Sequence, residues 1–249
     1  MIYIKKNIDL FVPLTANAVI TMGLLIKNSC KDCKDNMYCF FDSSLGDLPI
    51  EGIEHLEMRY SKGESILKQG TIAPHVIFLK EGIVKTFLEH NDRRQTLCLV
   101  KKGFVGLESM YNDKYFQYSV SAITDVSVCL IELESFKKAI SENAWLGVRV
   151  IESINIRSMH LYERIITLTQ KQAPGRVADI LICLQERIFE SNVFEIPCSR
   201  KEFAEMATLS PESLSRVLKD FKDEEVISFE GKQIKILDLK RLEMISMVS

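Results

Sequence analysis

The hydrophobic period of this chain changes once, near Glu134, and that change limits the fold to a strand-built half followed by a helix-built half. Before it, from Leu56 to about Leu133, β-branched and aromatic runs alternate with polar residues: Tyr60 to Gly70, Val76 to Leu88, Thr96 to Val100 and Ser127 to Leu133. Gly63, Gly70, Gly82, Gly103 and Gly106 punctuate them. Short, evenly spaced strands with glycine corners predict an antiparallel double-sheet roll of the jelly-roll or double-stranded β-helix kind.

Beyond Glu134 the apolar residues take a helical period. Between Trp145 and Gln172, Ile151, Ile154, Leu161, Ile165 and Leu168, with Ser158 in the remaining slot, fall on successive a and d positions of a heptad. That is the pattern of a helix that pairs with a copy of itself, the alternative being a helix lying on its own sheet. Pro174 and Gly175 are expected to end it.

The remainder predicts a helix from Val177 to Phe189, a strand from Phe194 to Pro197, two short helices and a hairpin. Ser199 and Glu202 form a capping box for the helix Arg200 to Met206. Ser210 and Pro211 suit the N-cap and first position of the helix Glu212 to Lys222. Two short helices joined by Thr208, Leu209 and Ser210 outline a helix-turn-helix, and the strands around Glu230 and Gly231 supply a β-hairpin wing. The class is α+β.

Cys30, Cys33 and Cys39, at C-x2-C-x5-C spacing in a polar stretch, are placed for a soft metal centre rather than for burial as small hydrophobes. A fourth ligand must come from a distant part of the fold, and Cys98, Cys129, Cys183 and Cys198 are all available. Structural zinc sites usually pair two knuckles. One knuckle with a five-residue gap and a remote ligand suits a [4Fe-4S] cube better, with zinc as the rival. Seven cysteines, an odd number, without a convincing export signal favour a reducing cytoplasm. The apolar run from Ile8 to Ile26 is interrupted by Asp9, Pro13 and Asn17, too broken to span a bilayer, and Met22 is an alternative start.

On the second short helix Leu214, Val217, Leu218 and Phe221 face a core, leaving Glu212, Ser213, Ser215 and Arg216 exposed. A glutamate can accept from cytosine N4, and an arginine can donate twice to guanine. From Gln170 to Ser249 there are 12 Lys plus Arg against 14 Asp plus Glu, so basic contacts must be local. Arg200, Lys201, Lys219 and Lys232 are the candidates for phosphate. No catalytic constellation is visible: His55, His75, His90 and His160 are scattered singly, and an enzyme is not expected.

The order of cysteine cluster, glycine-cornered roll, long helix and winged helix-turn-helix resembles the CRP/FNR superfamily of bacterial transcription regulators over about residues 28 to 245. K-G-E-S-I-L-K-Q-G and I-F-L-K-E-G-I-V-K look like its roll, and Glu212 to Arg216 match its recognition-helix motif E-x-x-S-R. The resemblance implies an N-terminal extension (1–27), a cysteine arm with sensory roll (28–140), a dimerisation helix (141–173) and a winged helix-turn-helix domain (174–249). In the oxygen-responsive FNR branch the cluster takes a fourth cysteine late in the roll, which here is Cys129. Lys34 and Tyr38 would shield it.

The resemblance further implies a cytoplasmic homodimer that binds a palindrome of T-T-G-A half-sites through Glu212, Ser215 and Arg216 and meets RNA polymerase. Its DNA binding would be governed by a [4Fe-4S] cluster labile to oxygen or nitric oxide. The alternatives are haem or another small ligand in the roll, with the cysteines as a zinc site or thiol switch, and an electron-transfer protein. The phosphate-binding G-E-L and R-S of the cyclic-nucleotide branch are replaced by Gly106-Leu107-Glu108-Ser109 and Gln117-Tyr118-Ser119-Val120, so no cyclic nucleotide is expected. Thr208 stands where the family turn carries glycine or another small residue, and is expected to strain it.

Overall fold

In the computed structural model of the chain, residues 26–29, 54–91, 93–111 and 115–248 are described. Cys30, Cys33 and Cys39, with Lys34, Tyr38 and residues 1–25, lie outside them. The strand-built half forms two antiparallel sheets. Strands β1 (Ile26–Ser29), β2 (Glu54–Tyr60), β4 (His75–Glu81), β7 (Gly103–Val105) and β9 (Val126–Glu132) assemble in the order β1-β2-β9-β4-β7. The second sheet has the order β3-β8-β5-β6, from β3 (Ser65–Leu67), β5 (Val84–His90), β6 (Arg93–Val100) and β8 (Ser119–Ala122).

Side chains of a strand alternate between its two faces, and in β4 both faces are covered. Ile77 and Leu79 enter the core between the sheets with Val84, Val120 and Val128. Val76 and Phe78 enter a second core beneath the helices with Phe104 and Phe136. This double burial explains why V-I-F-L reads as a continuous apolar run. All five expected glycine corners adopt positive φ. Gly82, joining β4 to β5, tolerates no side chain: a Cβ there would lie 2.4 Å from the Asp125 carbonyl oxygen.

The helical half opens with α1 (Leu133–Glu142) and α2 (Ala144–Gln170), separated at Asn143, whose side chain accepts from the amides of Trp145 and Leu146. Phe136, Leu146 and Val150 seat both helices on the first sheet. α2 stops at Gln170, earlier than Pro174 and Gly175 suggest. Lys171 turns extended, and Pro174 falls in the first turn of α3 (Ala173–Cys183), where its missing N–H leaves no helical bond unmade. A π-helical turn, Leu184–Phe189, continues α3.

The C-terminal domain comprises β10 (Val193–Glu195), α4 (Arg200–Ala207), α5 (Pro211–Asp223), β11 (Ile227–Glu230), β12 (Gln233–Ile236) and α6 (Leu239–Val248). Its sheet runs β10-β12-β11, and Phe203, Leu214, Leu218, Phe221, Ile227 and Ile234 fill its core. α6, which the sequence pattern does not predict, packs along α3. Ile83 and Ile123, from the roll, join this same core, so the two halves meet along an apolar seam. Among the described residues no helix is long and apolar enough to cross a membrane.

Candidate nucleic-acid interface

The first helix of the pair, α4, starts as its sequence dictates. The Ser199 hydroxyl accepts from the Glu202 amide at 3.2 Å, and a Glu202 carboxylate oxygen accepts from the Ser199 amide at 3.1 Å. It ends at Thr208, held left-handed at φ 54° and ψ 46°. That conformation is costly for a β-branched residue, by roughly 1–2 kcal/mol. The Ser210 hydroxyl then caps α5 by accepting from the Ser213 amide at 3.1 Å.

Burial of Leu214, Val217, Leu218 and Phe221 leaves Glu212, Ser215, Arg216 and Lys219 exposed on one side of α5, whereas Ser213, expected to be exposed with them, is half-buried. Ser215 donates to the Pro211 carbonyl at 2.8 Å, so its hydroxyl retains acceptor capacity toward a ligand. The Glu212 carboxyl is held below its ordinary range, first by its own backbone amide and then by Ser210, and is therefore an anion. Arg200 and Lys201 at the start of α4, and Lys232 in the wing turn beside Gly231, are exposed as well. The three named base readers and Lys219 share one helix; the other three cations come from neighbouring elements.

The roll grips this domain through polar contacts that no local pattern announces. Lys85 in β5 pairs with Glu202 in α4 at 2.7 Å. Arg164 in α2 donates both to the Thr96 carbonyl of β6 and to the Met206 carbonyl of α4, and Lys62 donates to the Pro197 carbonyl at 3.2 Å. Residues between 42 and 135 positions apart in sequence meet here.

The segments Gly106–Ser109 and Gln117–Val120 of the roll are tied to each other and to α2 by one polar network. Arg157 of α2, on the helix side, donates to the Tyr118 hydroxyl at 2.6 Å and to the Phe104 carbonyl, and pairs with Glu108 at 3.1 Å. Tyr118 donates to Glu108 at 2.9 Å and accepts from the Gly106 amide at 2.8 Å. Gly106, at φ 82°, abuts the Phe116 ring so closely that a Cβ would lie 2.9 Å from it.

Of the sensor candidates, Cys129 is buried in β9 among Phe78, Phe104 and Leu107, on the helix-facing side of the first sheet. Its register partners are Glu57 in β2 and Phe78 in β4, and Glu57 in turn pairs with Ile26 in β1. Cys98 lies in β6 on the other sheet, its sulfur 3.2 Å from the Thr86 hydroxyl. Cys183 ends α3, and Cys198 precedes α4. Burial pushes the thiols of Cys183 and Cys198 up to about 11 and raises that of Cys98. Of the described cysteines, Cys129 alone shares a sheet with the strand that leads into Cys30.

Comparison with known proteins agrees with this architecture. Residues 57–143 match the cyclic nucleotide-binding domain family and residues 175–245 the Crp-like helix-turn-helix domain family. The transcriptional activator proteins FnrA of Stutzerimonas stutzeri and Anr of Pseudomonas aeruginosa are each 27% identical; the matches span 84% and 88% of this chain and 88% and 93% of those proteins. The solved structure of FixK2 from Bradyrhizobium japonicum superposes with a TM-score of 0.72 at 24% identity, covering 78% of this chain and 98% of that one. With a two-sheet roll, a long central helix and an exposed reading helix in a winged domain, the chain belongs to the CRP/FNR family of DNA-binding transcription regulators.

Proposed function

We propose that this regulator works as a homodimer whose DNA affinity is set by a [4Fe-4S] cluster on Cys30, Cys33, Cys39 and Cys129. The observation that carries the sensor is the row Ile26–Glu57–Cys129 across the first sheet. β1 ends at Ser29, three residues past that row, so the cysteine segment starts from a strand two places from β9, about 10 Å across the sheet and about 10 Å along it from Cys129 at ordinary strand spacing. Cys129 offers a soft donor inside an apolar shell, and four thiolates are the donor set such clusters take. When bound, the cluster would supply an oxidant-labile cross-link between the cysteine segment and the sheet. Cys129 itself lies in the core that seats α1 and α2, so strain at its backbone reaches the long helix through Phe136 and Val150.

Dimerisation is read from α2. Of the heptad residues, Ile151 and Ile165 are more than half exposed, whereas Ile154, Ser158, Leu161 and Leu168 are half-buried, with Ile154 against the roll's own core. Val148, Met159, Tyr162 and Ile166 are exposed beside them. The seam therefore runs through Val148, Ile151, Met159, Tyr162 and Ile165, rotated toward solvent from the stripe the heptad selects. Two copies joined there would place two α5 helices about 34 Å apart on a palindrome of T-T-G-A half-sites, where RNA polymerase could be met. A packed roll interior and the Arg157–Tyr118–Glu108 network favour neither haem nor a cyclic nucleotide there.

Single Ser substitutions test the assignment. Cys129→Ser, like Ser at positions 30, 33 and 39, should lower iron and acid-labile sulfide, because a hydroxyl is a poor ligand for soft iron. Cys98→Ser, Cys183→Ser and Cys198→Ser should retain both. Undiminished iron in Cys129→Ser would remove it from the site.

A further inference from the structure

A cavity of about 400 Å³ opens between the roll, α2 and the DNA-binding domain. Its apolar lining is Leu97 and Leu99 of β6, Ile166 of α2, Ile180 and Ile182 of α3, and Met206 of α4. A void of that size with a mostly apolar lining and a few convergent polar groups is what small-molecule sites look like. One edge is the π-helical turn, through Glu186 and Arg187, and such turns are frequent at functional sites.

Two ion pairs within the cavity lining hold four of its charges. Arg187 pairs with Glu163 at 2.9 Å and Lys171 with Asp179 at 2.7 Å, while Arg164 is spent on the Thr96 and Met206 carbonyls. The lining's cations, Arg164, Lys171 and Arg187, are balanced by its anions, Glu163, Asp179 and Glu186, so the cavity presents no net charge to a charged ligand. The groups left to orient a guest are the His160 imidazole and the Cys183 thiol. Burial, then the nearby Arg187, lowers the His160 pKa and keeps the ring neutral, and burial keeps the thiol protonated.

We propose that this cavity binds an uncharged, largely apolar small molecule and that its occupancy shifts the seating of the DNA-binding domain on the roll. The walls make the coupling mechanical: β6 and α2 belong to one half and α3 and α4 to the other. A guest that spans them must favour one spacing over another.

The uncharged fluorophore N-phenyl-1-naphthylamine serves as the probe on the full-length chain. Saturable enhancement at one probe per chain is expected, weakened about tenfold or more when Ile182→Trp or Leu97→Trp fills the cavity. Circular dichroism establishes that each variant is folded, and two filling sites guard against one failing. Ile156→Glu, on an exposed part of α2 outside both the proposed seam and the cavity lining, should leave probe binding intact. Binding lost in Ile156→Glu but kept in both filling variants would put the probe on the helix face and overturn the proposal, as would no saturable binding. The second arm measures affinity for a duplex with two T-T-G-A half-sites and rests on the function proposed above. Saturating probe should change that affinity at least threefold in the wild type and not in Ile182→Trp. Probe bound in the cavity with unchanged affinity would overturn the coupling, whereas a duplex that never binds would count against the half-site reading while the fluorescence arm still decides the cavity.

Discussion

At the scale of single residues, the DNA-binding domain combines strain and exposure in a few positions. Thr208 holds a left-handed conformation that Gly adopts freely. Thr208→Gly should therefore stabilise the protein by about 0.5–1 kcal/mol after the added chain entropy of glycine is deducted, measurable by urea denaturation. A loss of stability would show that the 3.5 Å contact from its hydroxyl to Gln95 outweighs the backbone strain. Arg216 and Lys219 sit one turn apart on α5, both exposed, yet should behave differently. Arg216→Ala should erase preference for the half-site guanine, worth about 1–3 kcal/mol. Lys219→Ala should weaken all sequences alike and flatten the salt dependence, which binding titrations at several salt concentrations would separate. The identity of the exposed reading face was legible in sequence because Leu214, Val217, Leu218 and Phe221 leave only one face for polar residues. Thr208's strain was legible too, since the turn demands a positive φ.

At the scale of elements, the longer strands of the roll, the capping box and the two helices of the reading unit follow from local pattern and lie within a few residues of it, whereas the short strands β1, β7 and β8 carry no such pattern and are not predicted by it. The boundaries that differ have local physical causes. Asn143 caps α2 and splits it from α1, and Pro174 begins a helix where the sequence pattern suggests the end of one. The seam proposed on α2 departs from the heptad stripe, because a heptad reports which residues are apolar and not which of them the roll already covers. Ile154 is half-buried on its own chain's core, while Met159 and Tyr162 are more than three-fifths exposed. Tyr162→Glu should accordingly abolish dimerisation at micromolar concentration, as read by sedimentation, whereas Leu161→Glu should disturb it less. The reverse order would return the seam to the heptad stripe.

Across the whole molecule, the contacts between roll and DNA-binding domain were invisible in sequence, since Lys85 and Glu202 are far apart and neither belongs to a motif that pairs them. Burial pushes the Glu202 carboxyl up, but Lys85 and the amide and hydroxyl of Ser199 together hold it below the ordinary glutamate value of 4.5. A carboxyl lowered in the folded state stabilises above its unfolded pKa and ceases to do so as pH falls through the folded one. The gap in melting temperature between wild type and Lys85→Met should be full at pH 7 and narrow as pH drops below about 4.5. A gap independent of pH would show that the pair does not join the domains. The same long-range logic applies to the proposed sensor: C-x2-C-x5-C is visible in sequence, but the placing of β1 two strands from Cys129 emerges only from the pairing of β1, β2 and β9. The most direct test is operator affinity under nitrogen, at one salt concentration, for the cluster-reconstituted and the cluster-free protein. Affinity at least tenfold tighter with the cluster, about 1.4 kcal/mol, is predicted; equal affinities would contradict the sensor while leaving the DNA-binding assignment in place.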